Sequence, residues 1–97
     1  MFMKVHHSPG CADVIAVCDA ELLNTTITGG NLKVQPHESF YGTRQVDADE
    51  VKRALTKGDS INLMGERAVA IAIELGLANR ADCIMIGSVP HVQIYRL

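Results

Sequence analysis

The stretch Val46-Asp47-Ala48-Asp49-Glu50-Val51 constrains this chain more than any other. Asp47 is a strong helix N-cap. Glu50 sits at the third helical position, where its side chain can reach back, an Asp variant of the capping box. Val46 and Val51 fall at the positions of a hydrophobic staple. Gly58 supplies the stop. The spacing predicts a helix over 48–57 with Val51, Ala54 and Leu55 inward. Such a helix has one apolar stripe and must bury it on another element.

Strand-like segments offer that surface. Residues 2–7 and 11–18 read as two strands, the second rich in β-branched side chains. Ser8-Pro9-Gly10 between them is turn chemistry, since Pro presets φ and Gly accepts positive φ. A three-residue hairpin loop then places His7 opposite Cys11, Val5 opposite Asp13 and Met3 opposite Ile15. Met3, Val5, Ile15 and Val17 share the face that meets the core. Lys4, His6, Ala12 and Cys18 share the other.

Asp19 is expected to cap a short helical turn, Ala20 to Asn24. Leu32–Val34 is a short strand closed by Pro36, and Phe40-Tyr41-Gly42 begins a strand or a tight loop. Ile61, Met64, Ala68, Ile71 and Leu75 recur at helical spacing, which predicts one helix over 60–77, capped by Ser60 and ended by Gly76. Gly65 inside it costs ~1 kcal/mol relative to Ala. The rival reading makes Ser60–Met64 a strand and starts the helix after Gly65. Cys83–Ile86 and Val92–Tyr95 read as closing strands joined by Gly87-Ser88-Val89-Pro90.

The expected architecture is a single α+β domain over residues 1–97. Its small, mostly antiparallel or mixed sheet opens with a β-hairpin and packs against two helices, about 48–57 and 60–77. Composition agrees: 47% of the residues are hydrophobic and 21% charged, which excludes a disordered chain. No apolar run approaches the ~18 residues of a membrane span. Nine Lys and Arg against eleven Asp and Glu give a net charge of −2, so bulk positive charge does not drive partner choice. Direct nucleic-acid binding is not favoured, since the cations are scattered and aromatic stacking platforms are few. Three cysteines are too few for a disulfide framework, and reduced thiols in a cytoplasm account for them. Met1–His7 has no long apolar stretch after it, so a secretory signal is not expected.

Several motifs together carry a resemblance. They are Val17-Cys18-Asp19 with Leu22-Leu23, Phe40-Tyr41-Gly42, Asn62-Leu63-Met64-Gly65-Glu66-Arg67, and Ile86-Gly87-Ser88-Val89-Pro90-His91-Val92-Gln93. The chain resembles, over essentially its whole length, a family of small archaeal proteins known as domain of unknown function 424. The resemblance implies an archaeal cytoplasmic protein, placed near the translation machinery. It implies no particular chemistry.

The residues themselves offer three candidate sites. His7 opposite Cys11, with His91, is a weak metal candidate, because zinc takes four N or S ligands and no Cys-x-x-Cys or helical His pair is present. No metal and no cofactor is expected. Asn62, Gly65, Glu66 and Arg67 form the second: if Gly65 opens a helix, its free N–H groups attract an anion, with Arg67 beside it. The plainer reading of Gly65 is close packing. The third is the Gly87–His91 segment, with Pro90, His91 and Gln93 on a loop and His91 as hydrogen-bonding group or base.

The leading functional expectation is a small non-catalytic binding or adaptor domain with a protein or ribonucleoprotein partner. The alternative is a small enzyme or ligand-binding protein with a polar cleft around His91 and Arg67. A homo-oligomer formed by pairing of an exposed strand edge, that of the last strand, is a third expectation.

Overall fold

A computed structural model describes residues 1–96. Five strands form one mixed sheet in the order β1-β2-β5-β7-β6: β1 Phe2–His6, β2 Val14–Cys18, β5 Ser60–Met64, β7 Val89–Tyr95 and β6 Ile84–Ile86. Only the β2–β5 pair is parallel. A small hairpin, β3 Ile27–Gly29 and β4 Leu32–Val34, stands apart. The helices are α1 Glu38–Tyr41, α2 Ala48–Lys57 and α3 Glu66–Glu74. The α+β class and the mixed sheet expected from the sequence are those observed.

Both faces of the sheet are covered, and this explains several departures from expectation. On the first face lie Met3, Ile15, Val17, Ile61, Leu63 and Val92, packed under α2 and α3 through Val51, Leu55, Ala68 and Val69. On the second lie Ala16, Cys18 and Met64, packed under Tyr41 and Ile27. The hairpin β3–β4, α1 and the turn at residues 20–22 supply that cover.

The predicted helix over 60–77 is corrected: 60–64 is the central strand β5, and α3 spans Glu66–Glu74. A strand buried on both faces loses its alternation, so Ile61 and Met64 merge by accident with the helical spacing of Ala68 and Ile71. Gly65, at φ +111°, breaks the two apart.

The hairpin register is also corrected. Met3 pairs with Val17 and Val5 with Ile15, and residues 7–13 form a longer loop. The Ser8–Cys11 turn exists, closed by Cys11 N–H to the Ser8 carbonyl at 3.1 Å. A His7–Asp13 ion pair at 2.9 Å holds the loop flanks. The slip is two residues, an even number, so the inward face is unchanged.

Phe40 and Tyr41 lie in a single helical turn rather than a strand or tight loop. Gly87–Pro90 is not a four-residue loop. The turn is Gly87–Ser88, and Pro90 and His91 belong to β7. Pro90 is tolerated inside the sheet because β5 has ended by that point, and its carbonyl accepts from Gly65 N–H at 2.9 Å. The last strand, β7, is interior. The outer strands are β1 and β6, but β6 pairs only with Val89–His91, so edge pairing by the last strand is confined to Val92–Tyr95.

The helix over 48–57 forms as the sequence predicts. Glu50 N–H donates to Asp47 Oδ1 at 2.8 Å, and Val46 and Val51 are buried. The Glu50 side chain pairs with Arg44 at 2.6 Å, so only half of the box forms. The far end of α2 is held by Arg96, whose guanidinium donates to the carbonyls of Leu55 and Thr56.

Candidate functional site

Two sites of unlike character sit near the ends of β2 and β5. The first is the start of α3. Gly65 turns the chain from β5 into the helix, and the first free N–H groups of α3 face the end of β2. Asp19, 2% exposed, fills that position. Its Oδ2 accepts from Arg67 N–H and its Oδ1 from Ala68 N–H, each at 2.9 Å. Asp19 therefore caps α3 across the sheet, rather than the turn at 20–22 that follows it in sequence, where it makes no side-chain cap. A Cβ at residue 65 would lie 2.5 Å from Asp19 Oδ2, so Gly is required there by contact as well as by φ.

This geometry changes the meaning of the second candidate. The anion that a helix N-terminus attracts is already supplied by the protein. Arg67 pairs through its guanidinium with Glu21, and Glu66 with Arg80. The Arg80 partnership, first by hydrogen bond, holds the Glu66 carboxyl below its usual range.

The second site is a cleft of about 340 Å³ on the second face. Asn62 of β5, His91 of β7 and Met64 form its floor. Pro36, Phe40 and Tyr41 form its walls. Strand alternation decides which residues reach it. Asn62 pairs with Gln93, and Met64 with His91, so all four share this face. The Tyr41 hydroxyl donates to Asn62 Oδ1 at 2.7 Å, a buried bond between the cover and the sheet. Burial, with the nearby Cys18, pushes the Tyr41 hydroxyl above its ordinary range, so it remains a donor. Phe40 is fixed by stacking on His6 at 4.9 Å, and His6 Nε2 lies 2.7 Å from the Phe40 carbonyl. His91 Nδ1 lies 2.9 Å from the Leu63 carbonyl. A carbonyl only accepts, so Nδ1 carries the hydrogen and Nε2 of the neutral ring is an acceptor.

A larger groove of about 490 Å³ runs along β1 beside Lys4, Glu38 and Arg44. Its cations are already engaged: Lys4 Nζ donates to the Ser39 carbonyl at 3.1 Å, and Arg44 pairs with Glu50.

The structure thus brings Asn62 and His91 together and separates them from the other candidates. Arg67, Glu66 and Gly65 belong to the start of α3, and none of them lines the cleft. Pro90 points to the opposite face. Gln93 shares the cleft's face but is exposed and lies beyond its lining. His7 and Cys11 lie in the β1–β2 loop, beyond Val14, Ser60 and Tyr95. His91 lies at the other end, level with Phe2, Cys18 and Met64. Four residues of strand separate the two ends, roughly 13 Å. The three metal candidates therefore do not converge. Among the described residues, no group of three His, Cys, Asp or Glu is arranged around a common point.

Sequence reasoning noted Tyr41 only as an aromatic beside Phe40 that could stack a base, and missed its bond to Asn62 and the role of Asp19 as the α3 cap. The signal for Asp19 was its place directly after a strand, though its partner is 48 positions away. Tyr41 stands in the Phe40-Tyr41-Gly42 motif, but nothing local shows that its hydroxyl meets Asn62, 21 positions on.

A five-stranded mixed sheet with helices on one face and a hairpin cover on the other defines a small layered α+β domain with a polar cleft beneath the cover. Comparison with known proteins gives the family. The model of the family described as "Protein of unknown function (DUF424)" matches residues 6–97, and the chain belongs to that family. Among solved structures it is similar to one described as an uncharacterized conserved protein from Methanopyrus kandleri. That match has 28% identity and a TM-score of 0.79, and covers 99% of this chain and 90% of that one. No curated protein matches. No described helix is long and apolar enough to cross a membrane.

Proposed function

We propose that the protein is a small non-catalytic binding domain of the cytoplasm, working as an adaptor for a protein or ribonucleoprotein partner. Its recognition element is the cleft over Asn62 and His91. One observation carries the reading: the buried Tyr41–Asn62 bond aims a primary amide into a cleft whose other polar floor group is a histidine of fixed tautomer. Groups held this way before the ligand arrives lose little entropy on binding. The chemistry supports binding rather than turnover. The Cys18 thiol is buried and pushed up to about 12, chiefly by desolvation, which keeps it protonated and unreactive. Four of the nine Lys and Arg side chains, Arg44, Lys52, Arg67 and Arg80, each face a carboxylate. No metal or cofactor enters this reading.

The test is an NMR titration of the labelled protein with small neutral fragments, both amides and nitrogen heterocycles. Saturable shifts centred on Asn62, Met64 and His91 are expected. Fragments that all collect elsewhere, or none that perturbs the cleft, would remove it.

A further inference from the structure

We propose that the cleft takes a planar heterocycle bearing an exocyclic amino group beside a ring nitrogen, the edge shown by aminopurine and aminopyrimidine bases. This rests on the binding reading above and names its ligand class. Asn62 is 8% exposed. Its Oδ1 accepts from the Tyr41 hydroxyl at 2.7 Å. One Oδ1 lone pair and both Nδ2 hydrogens remain. Among the described residues Nδ2 has no acceptor. Nor is it sealed from solvent, since the sealed and unpartnered side-chain atom among them is Arg96 Nε. Nδ2 therefore opens into the cleft.

A primary amide presents a donor and an acceptor side by side, the complement of an amino group next to a ring nitrogen. His91 adds a third contact through Nε2. Asn62 and His91 are diagonal neighbours across β5 and β7. Such positions are about 7–8 Å apart, close enough for both side chains to meet one ring. The amino group then gives one hydrogen to Asn62 Oδ1 and the other to His91 Nε2. Its ring nitrogen accepts from Nδ2. Phe40, Pro36 and Met64 offer apolar surface to the ring faces. The volume, about 340 Å³, is near the lower limit of small-molecule sites. No Lys or Arg lines the cleft, so phosphate is not part of the recognised group.

The experiment is a titration of the full-length protein with adenosine, followed by NMR, with inosine as control because it replaces the amino group by an oxygen. Adenosine is expected to shift Asn62, Met64 and His91 saturably, and inosine to bind roughly tenfold more weakly. Asn62→Asp keeps an acceptor for Tyr41 but loses the Nδ2 donor, and is expected to weaken adenosine roughly tenfold or more. His91→Phe, at a half-buried position, removes the Nε2 acceptor and gives a second variant should the first fold poorly. Equal binding of adenosine and inosine would overturn the proposal. So would a silent adenosine titration while N-methylacetamide still shifts the cleft, which would leave the binding reading standing. Silence from every probe would sink both. A tetra-adenylate binding at least tenfold more tightly than adenosine would place the base in an RNA partner. Equal affinity would place it in a free nucleoside.

Discussion

Replacing Asp19 by Ala is the perturbation whose cost the structure lets one work out most fully. The carboxylate is 2% exposed and accepts two N–H bonds, both at 2.9 Å, from the first turn of α3. Loss of an N-cap alone costs about 0.5–2 kcal/mol. Here the cap also joins two distant elements, and Ala68 N–H is buried when its acceptor goes. A buried donor left without a partner adds about 1–3 kcal/mol. The sum is about 3 kcal/mol, a large part of the roughly 5–15 kcal/mol that stabilises a domain this size. Urea unfolding followed by circular dichroism would show a lower midpoint at unchanged slope. Thermal unfolding would show a fall of about 12–24 °C. Asp19→Asn keeps one acceptor and is expected to lose about half as much. The partner residue provides an internal check. Gly65→Ala sets a Cβ 2.5 Å from Asp19 Oδ2, so its cost contains a clash and a φ penalty. In an Asp19→Gly background the clash partner is gone, and only the φ penalty of about 1–3 kcal/mol remains. An Asp19→Ala protein within 1 kcal/mol of the parent, or a Gly65→Ala cost independent of residue 19, would refute this account of the α3 start.

Four further outcomes are expected. Tyr41→Phe removes the donor to Asn62 and strands a buried oxygen, so urea unfolding is expected to show a loss of about 1–3 kcal/mol, with amide shifts concentrated on β5. Arg96→Met keeps the apolar stem but frees the last carbonyls of α2. A loss of about 1.5–3 kcal/mol is expected, together with faster hydrogen exchange at residues 55–58. The cysteines should react with a thiol reagent in order of exposure: Cys11 first, Cys83 more slowly, and Cys18 only when the protein unfolds. Cys18 also gives stability a pH dependence. Its thiol is raised from 9.0 to about 12 in the fold, so the neutral form is favoured there. The stability this contributes is complete below pH 9 and is lost as pH rises towards 12. A flat alkaline stability curve over that range would contradict the burial of Cys18.

Local signals were legible where local chemistry decides the outcome. Asp47 starts α2 by its side-chain cap, and α2 forms as read, though Gly58 ends it with extended backbone at φ −79° and a close approach to Ile15 rather than by a left-handed cap. The inward set Met3, Val5, Ile15 and Val17 was legible from alternation, and it survived a two-residue slip in register because parity sets the face. The slip itself was not legible, since the extended 7–13 loop is held by a His7–Asp13 pair with no sequence signature. Residues 60–64 misled for a physical reason: a strand covered on both sides is apolar throughout and mimics a helical stripe. Half of the cleft was legible. Asn62 and His91 stood out in the sequence, but their neighbours Tyr41 and Phe40 reach them only through the fold, 21 and 51 positions away for Tyr41–Asn62 and Phe40–His91 respectively, as the sequence numbers show. The alternative reading put Arg67 and His91 in one polar cleft. The strand–turn–helix geometry instead turns Arg67 to Glu21.

The two faces of the sheet therefore do opposite work. At the start of α3, Gly65 lets the backbone pass close to Asp19, and the carboxylate fills the anion position from within. Nothing at that junction is left to bind an outside anion without first displacing a buried, doubly bonded group. On the opposite face the buried bond that ties the cover to the sheet centre, Tyr41 to Asn62, consumes only part of the amide's capacity. Stability and recognition are thus separated by the sheet. Substitutions on the helix face, such as Asp19→Ala, act on folding. Those on the cleft floor, such as His91→Phe, act on binding while the helix-side core of Leu55, Leu63 and Val69 stays intact. Tyr41 is the exception, because it belongs to both, and a loss of binding in Tyr41→Phe must follow its loss of stability. If binding falls while stability holds, the hydroxyl touches the ligand directly rather than through Asn62.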